Sequence, residues 1–289
     1  MRVKANGTDY EVEPETTVEG FILARGLDPR FVVVERNGEA LERPAYGRVR
    51  LAPGDRLELI RAVAGGAAGI PAGKVGPGDL GGWRRRRLAE ARLYIVTGGL
   101  RKDLPEFLEA ILRAGVDLIQ LREKEAEAGD LLRWGAVFRE AASRHGALFV
   151  VNDRPDVALA LEADGVHVGQ NDLPVEFVRR LVGRDVLIGL STHDEHQLSA
   201  ASDEADYLCV GPVHETPTKP GRPATGLRLV RAAAREHRPW FAIGGIDSAT
   251  LPAVTRAGAR RVVVARAVTQ APNPAAAVER LLLQLAPSP

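Results

Sequence analysis

From Leu93 onward, short apolar runs alternate with amphipathic stretches to the end of the chain. The apolar runs fall at 93–97, 117–122, 148–152, 165–169, 186–191, 207–211, 240–244 and 261–266. Runs this short and this apolar are the pattern of strands buried in a parallel sheet. Between them, stretches such as 104–114, 131–144, 175–182 and 227–236 carry apolar residues at helical spacing. Eight strand–helix repeats in about 190 residues predict an α/β domain, a (β/α)8 TIM barrel, over residues 93–289. A doubly wound open sheet is the alternative, but it explains neither the count of eight nor polar clusters at the ends of so many strands.

Residues 1–66 have a different rhythm and predict a compact α+β unit. Two alternating segments flank Asn6-Gly7, a pair suited to a type I′ hairpin turn because both central residues need positive φ. Thr17 is placed to cap a helix running to about Leu27, with Val18, Phe21, Ile22 and Leu23 on its apolar side and Gly26 at its stop. Strands are expected from Phe31 to Glu35, from Val49 to Leu51 and from Arg56 to Ile60, with turns at Asn37-Gly38 and Pro53-Gly54-Asp55. The unit ends in Val63-Ala64-Gly65-Gly66. Residues 67–92 read as a Gly/Pro-rich linker followed by a basic segment. The stretch 67–82 holds six glycines together with Pro71 and Pro77, a composition that cannot build a core. Arg84 to Arg87 read as a solvated start to the barrel, or as a patch that steers an anionic substrate or partner.

Composition narrows the function classes. A net charge of +1 gives no field that would gather nucleic acid or a membrane surface. The one cysteine, Cys209, excludes an internal disulfide and sits in an apolar run as a buried structural thiol. No apolar stretch follows Met1 as in a signal peptide, and none is long enough to span a bilayer, so a cytoplasmic protein is expected.

The chemistry lies where the barrel strands end. Six polar clusters follow the apolar runs: Gln120 to Lys124, Asn152-Asp153, Gly169 to Asp172, Ser191 to His193, Thr216 to Lys219, and Gly244-Gly245. A parallel barrel gathers its strand ends on one face, so the clusters predict one site for an anionic ligand. Asp153 and Asp172 end neighbouring strands, and two converging carboxylates suit a hard cation such as Mg²⁺; each alone would serve as a loop or helix cap. Gln120, Arg122 and Lys124 alternate along one face, with Arg122 suited to phosphate and Gln120 to a heterocycle. Thr216, Thr218 and Lys219 lie on a Pro/Gly-rich loop, where the lysine suits a phosphate. Gly244-Gly245 allow backbone N–H groups to approach another phosphate. His193 reads equally as an acid/base or as a loop hydrogen-bonder.

With these residues assembled, segment 93–285 resembles the thiamine-phosphate synthase family. The family's Gln-Leu-Arg-Glu-Lys stretch stands at 120–124, Asn-Asp at 152–153, Gly-Gln-x-Asp at 169–172, a Thr-Pro-Thr-Lys loop at 216–219 and Gly-Gly-Ile at 244–246. The resemblance implies that Asp153 and Asp172 hold Mg²⁺. It implies that Gln120, Leu121, Arg122, Glu123, Lys124, Asn152, Ser191 and Lys219 contact an aminopyrimidine diphosphate. Thr216, Pro217, Thr218, Gly245, Ala265 and Arg266 would hold a thiazole phosphate, and Lys219, Arg122 and Ser191 are the expected catalytic positions. The sequence departs from the family at Thr97-Gly98-Gly99, where an acidic residue is expected after the first strand. Residues 1–66 resemble the sulfur-carrier protein of thiamine biosynthesis, a ubiquitin-like β-grasp unit, through Asn37-Gly38, the 53–58 segment and the Gly65-Gly66 ending. That resemblance implies an adenylating enzyme and a thiazole synthase as partners. Because Gly66 is followed by Ala67, its carbonyl is not a free carboxylate in the fused chain. A thiazole tautomerase using His193 and a non-catalytic thiazole-phosphate-binding regulator are the alternatives.

Overall fold

The computed structural model describes residues 1–25, 29, 32–42, 45–61, 79–215 and 223–285. The chain divides into two units, Met1–Gly66 and Ala67–Pro289.

In the first unit, β1 (Arg2–Ala5) and β2 (Thr8–Glu11) form the expected hairpin, with Asn6 and Gly7 both at positive φ. The sheet continues with β3 (Val32–Arg36), β4 (Glu39–Leu41) and β5 (Arg56–Arg61) in the order β2-β1-β5-β3-β4. The central β1–β5 pair is parallel and its neighbours are antiparallel, the arrangement of a β-grasp. Helix α1 (Val18–Leu23) starts at Thr17, whose side chain accepts from Gly20 N–H at 3.0 Å, and it buries Val18, Phe21 and Ile22 against the sheet's Val3, Val34 and Leu57. Three expectations change. Helix α1 ends at Leu23, with Ala24 as its C-cap, short of the expected end near Leu27; strand β4 is additional to the expected elements; and 49–51 makes only a single bridge from Arg50 to Thr17. The reason is local: Arg48 and Val49 both donate to Ala45 O, so the chain is turning there, anchored by the buried Tyr46 hydroxyl between Val32 and Val34. Gly26 itself, the strand start at Phe31, the Gly65-Gly66 ending and linker residues 67–78 lie outside the described residues.

In the second unit, β6 (Leu93–Thr97), β7 (Leu118–Leu121), β8 (Leu148–Asn152) and β9 (Gly165–Val168) are followed by β10 (Leu187–Thr192), β11 (Tyr207–Val210), β12 (Trp240–Ile243) and β13 (Val262–Val264). All eight are parallel, and β13 pairs with β6 to close the barrel. Helix α2 (Leu80–Glu90) precedes them. Helices α3 (Leu104–Arg113), α4 (Ala128–His145), α5 (Pro155–Ala160) and α6 (Val175–Val182) follow the first four strands in turn. After the next three come α7 (Glu195–Ser199), α8 (Gly226–Ala233) and α9 (Leu251–Arg256), and β13 leads to the short α10 (Arg266–Thr269) and to α11 (Pro274–Gln284). The period-2 alternation of each strand splits its side chains between two cores. In β7, Leu118 joins the barrel interior with Tyr94, Tyr207 and Phe241, while Ile119 and Leu121 face the helices. No helix among the described residues is long and apolar enough to cross a membrane.

The basic segment corrects the expectation of a solvated run. Residues 80–90 form α2, whose Leu88 packs with Ala91 into the barrel interior. Arg84 is only 4% exposed; its Nε donates to Asp164 Oδ1 at 3.0 Å and its Nη1 to Asp185 O at 3.1 Å. Arg85 reaches Asp206 and Arg87 reaches Gly146 O. Asp164, Asp185, Asp206 and Gly146 all precede strands, so α2 closes the end of the barrel opposite the strand exits.

Candidate active site

A cavity of about 530 Å³ opens at the strand exits, lined by residues from all eight strands or the loops that follow them. The carboxylate pair converges there. Asp153 follows β8 in a left-handed conformation (φ 60°), a region Asp tolerates better than most side chains, and its N–H donates to His167 O at 2.8 Å. Asp172 Oδ2 accepts from Gly169 N–H at 2.8 Å. Burial, then the hydrogen bond and charge of Asp172, raise the Asp153 carboxyl above its ordinary range, with Lys124 opposing from 3.3 Å. Burial also works against ionisation of Asp172, but the Gly169 N–H, the hydrogen bond with Asp153, and the charges of Lys124 and His167 outweigh it and hold Asp172 low.

Strand β7 supplies the neighbouring wall. Gln120 is nearly inaccessible, and its Nε2 donates to the Tyr94 hydroxyl at 2.5 Å, which in turn meets the Tyr207 hydroxyl at 3.2 Å. Arg122 and Lys124 line the cavity. Leu121 and Glu123 fall on the other side of the alternation. The Leu121 side chain packs into the core between strands and helices, and the Glu123 carboxylate accepts from Gly99 N–H at 3.1 Å. Neither side chain lines the cavity, against the expectation for both.

Asn152 and Ser191 line the next stretch of wall. Ser191 Oγ lies 2.9 Å from Nε2 of His167, a buried imidazole that also packs on the Tyr207 ring. Across the cavity, Gly245, Ala265 and Arg266 form the rim beside α10. Gly244 and Gly245 have φ of 107° and 62°, and a Cβ on them would lie 2.5 Å from Pro212 and 2.6 Å from His214. The glycine pair thus lets the β12 exit pack directly on the loop after β11, where His214 N–H donates to Gly244 O at 3.0 Å. Thr216, Pro217, Thr218 and Lys219 lie outside the described residues.

Comparison with known proteins decides the family, because the model for thiamine monophosphate synthase matches residues 93–268. The chain belongs to that family. A thiamine-phosphate synthase of Acidothermus cellulolyticus is 57% identical over 205 residues, covering 69% of this chain and 97% of that protein. One from Mycobacterium leprae is 52% identical over 217 residues, covering 69% and 92%. Among solved structures, a thiamine phosphate pyrophosphorylase from Pyrococcus furiosus superposes with a TM-score of 0.62 at 30% identity, covering 69% of this chain and 96% of that one. The ThiS family model matches residues 3–66. The tautomerase and regulator readings are not favoured beside relatives this similar.

Two residues of this synthase barrel escape a reading of the sequence by strand ends. His167 sits inside an apolar run, but counting back by two from Gly169 puts it on the inward face, so the signal is present. Asp247 lines the cavity beyond Gly245 and is held by Thr250. His193 lines the cavity, and its Nδ1 donates to Gly211 O at 2.5 Å. Cys209 is buried in the barrel interior and reaches the cavity floor.

Proposed function

We propose that the barrel of this thiamine-phosphate synthase joins an aminopyrimidine carrying a methylene diphosphate to a thiazole phosphate, releasing diphosphate and forming thiamine phosphate. The observation that carries this reading is the convergence, in one cavity, of the Asp153 and Asp172 carboxylates with the cations of Arg122 and Lys124. Two carboxylates lining one cavity suit a hard cation between them. Two oxygen ligands leave most of a coordination shell to water and phosphate oxygens, which fits Mg²⁺. When bound, Mg²⁺ supplies charge that stabilises the departing diphosphate.

The chain's own residues do the rest. Arg122 and Lys124, with Lys219 of the loop outside the described residues, neutralise the diphosphate as the C–O bond to the methylene breaks. The electron-rich aminopyrimidine stabilises the methylene cation, and the thiazole nitrogen captures it with a new C–N bond. Gln120 and Asn152 orient the pyrimidine, and Ser191, fixed by His167, presents its hydroxyl to it. Gly245, Ala265 and Arg266, with Thr216, Pro217 and Thr218, hold the thiazole phosphate at a rim where barrels commonly bind phosphate. No covalent nucleophile is required.

For the first unit we infer a sulfur carrier whose partners are an adenylating enzyme and a thiazole synthase, active after cleavage following Gly66. A cytoplasmic location goes with both activities. The deciding experiment supplies the full chain with both substrates and Mg²⁺. Diphosphate and thiamine phosphate should appear in equal amounts and stop on chelation. Isomerisation of the thiazole with no diphosphate release would replace the synthase reading with a tautomerase.

A further inference from the structure

Glu123 stands in the middle of the β7 exit, between the two cations assigned to the diphosphate, yet its carboxylate points away from them. Its Oε1 accepts from Gly99 N–H at 3.1 Å. A Cβ added to Gly98 would lie 1.9 Å from that same oxygen, and one added to Gly99 would lie 2.3 Å from the Trp134 ring of α4. The two glycines after β6 are thus side-chain-free because a carboxylate and an indole occupy the space. A second tie runs alongside, from Arg122 N–H to Thr97 O at 3.0 Å. Where an acidic residue is expected after the first barrel strand, this chain has Gly98-Gly99, and the carboxylate there comes from the neighbouring strand instead.

We propose that Glu123 is a positioning residue: with Gly98 and Gly99 it clips the β7 exit to the β6 exit and so aims Arg122 and Lys124 into the cavity. The residues around it support this. With Glu123 held outward just beyond β7, the residues on either side both line the cavity. The Glu123 side chain only has to accept this bond. A carboxamide oxygen can accept from the same N–H, keeping the bond without its charge assistance.

This inference rests on the diphosphate site proposed above, and its test separates the two. Binding of inorganic diphosphate with Mg²⁺ to the full chain is measured by calorimetry, beside the KM for the pyrimidine diphosphate. Glu123→Ala should weaken diphosphate binding and raise that KM on the order of tenfold, as expected for losing one hydrogen bond to a charged group, with kcat changed less. Glu123→Gln should restore both to near wild type. Gly98→Ala, whose added Cβ has the Glu123 carboxylate as its nearest neighbour at 1.9 Å, should reproduce the Glu123→Ala effect by evicting the carboxylate, and the double variant should be no worse than either single one. Thermal unfolding of each variant controls for loss of fold. If Gln is as damaging as Ala, Glu123 acts through its charge on substrate or metal and the clip is wrong. Additive effects of Gly98→Ala and Glu123→Ala would equally overturn it. If the wild-type chain binds no diphosphate, the site assignment fails rather than the clip.

Discussion

A carboxylate buried beside another must give up its charge to a proton or accept a cation. Asp153 and Asp172, both half-buried, line the cavity together, Asp153 paired with Lys124 at 3.3 Å and the Asp172 carboxylate held by Gly169 N–H. Asp153→Ala and Asp172→Ala should each lower turnover by at least about a hundredfold, the equivalent of roughly 3 kcal/mol of charge stabilisation. Steady-state kinetics across a Mg²⁺ titration checks this, and full activity of either variant in a chelator would refute the metal assignment. A second residue controls the wall behind them. A Cβ on Gly189 would lie 2.2 Å from the Tyr207 ring and 2.4 Å from His167 Nδ1. Gly189→Ala should therefore overpack the barrel interior and cost about 1–3 kcal/mol in urea unfolding. It should also disturb Ser191 through the displaced imidazole, seen as a loss of activity beyond that explained by stability.

At the scale of elements, α2 and the turn before β5 each depend on one buried ionic contact. Asp164 accepts from Arg84, Arg139 and Phe149 N–H, all at 3.0 Å. Arg84→Ala strips one partner from an inaccessible carboxylate that keeps Arg139 and Phe149 N–H, and should destabilise the barrel by about 1.5–3 kcal/mol. Arg86→Ala, which removes an exposed pair with Asp79, should change stability by less than about 0.5 kcal/mol. Denaturant midpoints of the two variants distinguish a latch from a charged surface. The four arginines look alike in sequence; what separates Arg84 is an aspartate 80 positions away that only the closed barrel brings to it. In the first unit, Asp55 accepts from Arg36, Asn37 and Ala52 N–H. Burial would raise its carboxyl, but those partners, Arg36 foremost, hold it below the ordinary range. With the folded pKa depressed, its stabilisation is complete above the unfolded value and is lost as pH falls through the folded one. Acid unfolding of the first unit should therefore steepen below about pH 4, and Asp55→Asn should flatten that slope.

For the whole molecule, the barrel is legible because each strand is a continuous apolar run, and each predicted run contains the observed strand to within a residue. The positions of Asp153, Asp172, Arg122 and Lys124 follow from strand ends alone. The side chains of Leu121 and Glu123 turn away from the cavity although the motif holds them, because a motif copied whole ignores the alternation of side chains. The Gly-Gly pairs teach the same lesson about context. Gly81-Gly82 and Gly65-Gly66 are indistinguishable as dipeptides, yet Gly81 is buried in α2, where a Cβ would lie 2.7 Å from Asp185. Cleavage after Gly82 would cut through the helix that closes the barrel and separate Asp79 from Trp83, whose N–H bonds its carbonyl. A cut after Gly66 leaves α2 whole and gives the carrier-like unit a C-terminal glycine carboxylate. Two expressed fragments test the division. A chain starting at Asp79 should make thiamine phosphate at the full-length rate, since every residue lining the cavity lies between Tyr94 and Gln270. A chain starting at Arg92 should fail to fold, its interior core uncovered at one end and Asp164 short of a partner. Mass spectrometry of the protein from its native cell should then find a fragment ending at Gly66, as the acid or thiocarboxylate, and none ending at Gly82. Only full-length chain in cells actively making thiamine would mean that the first unit docks rather than carries sulfur.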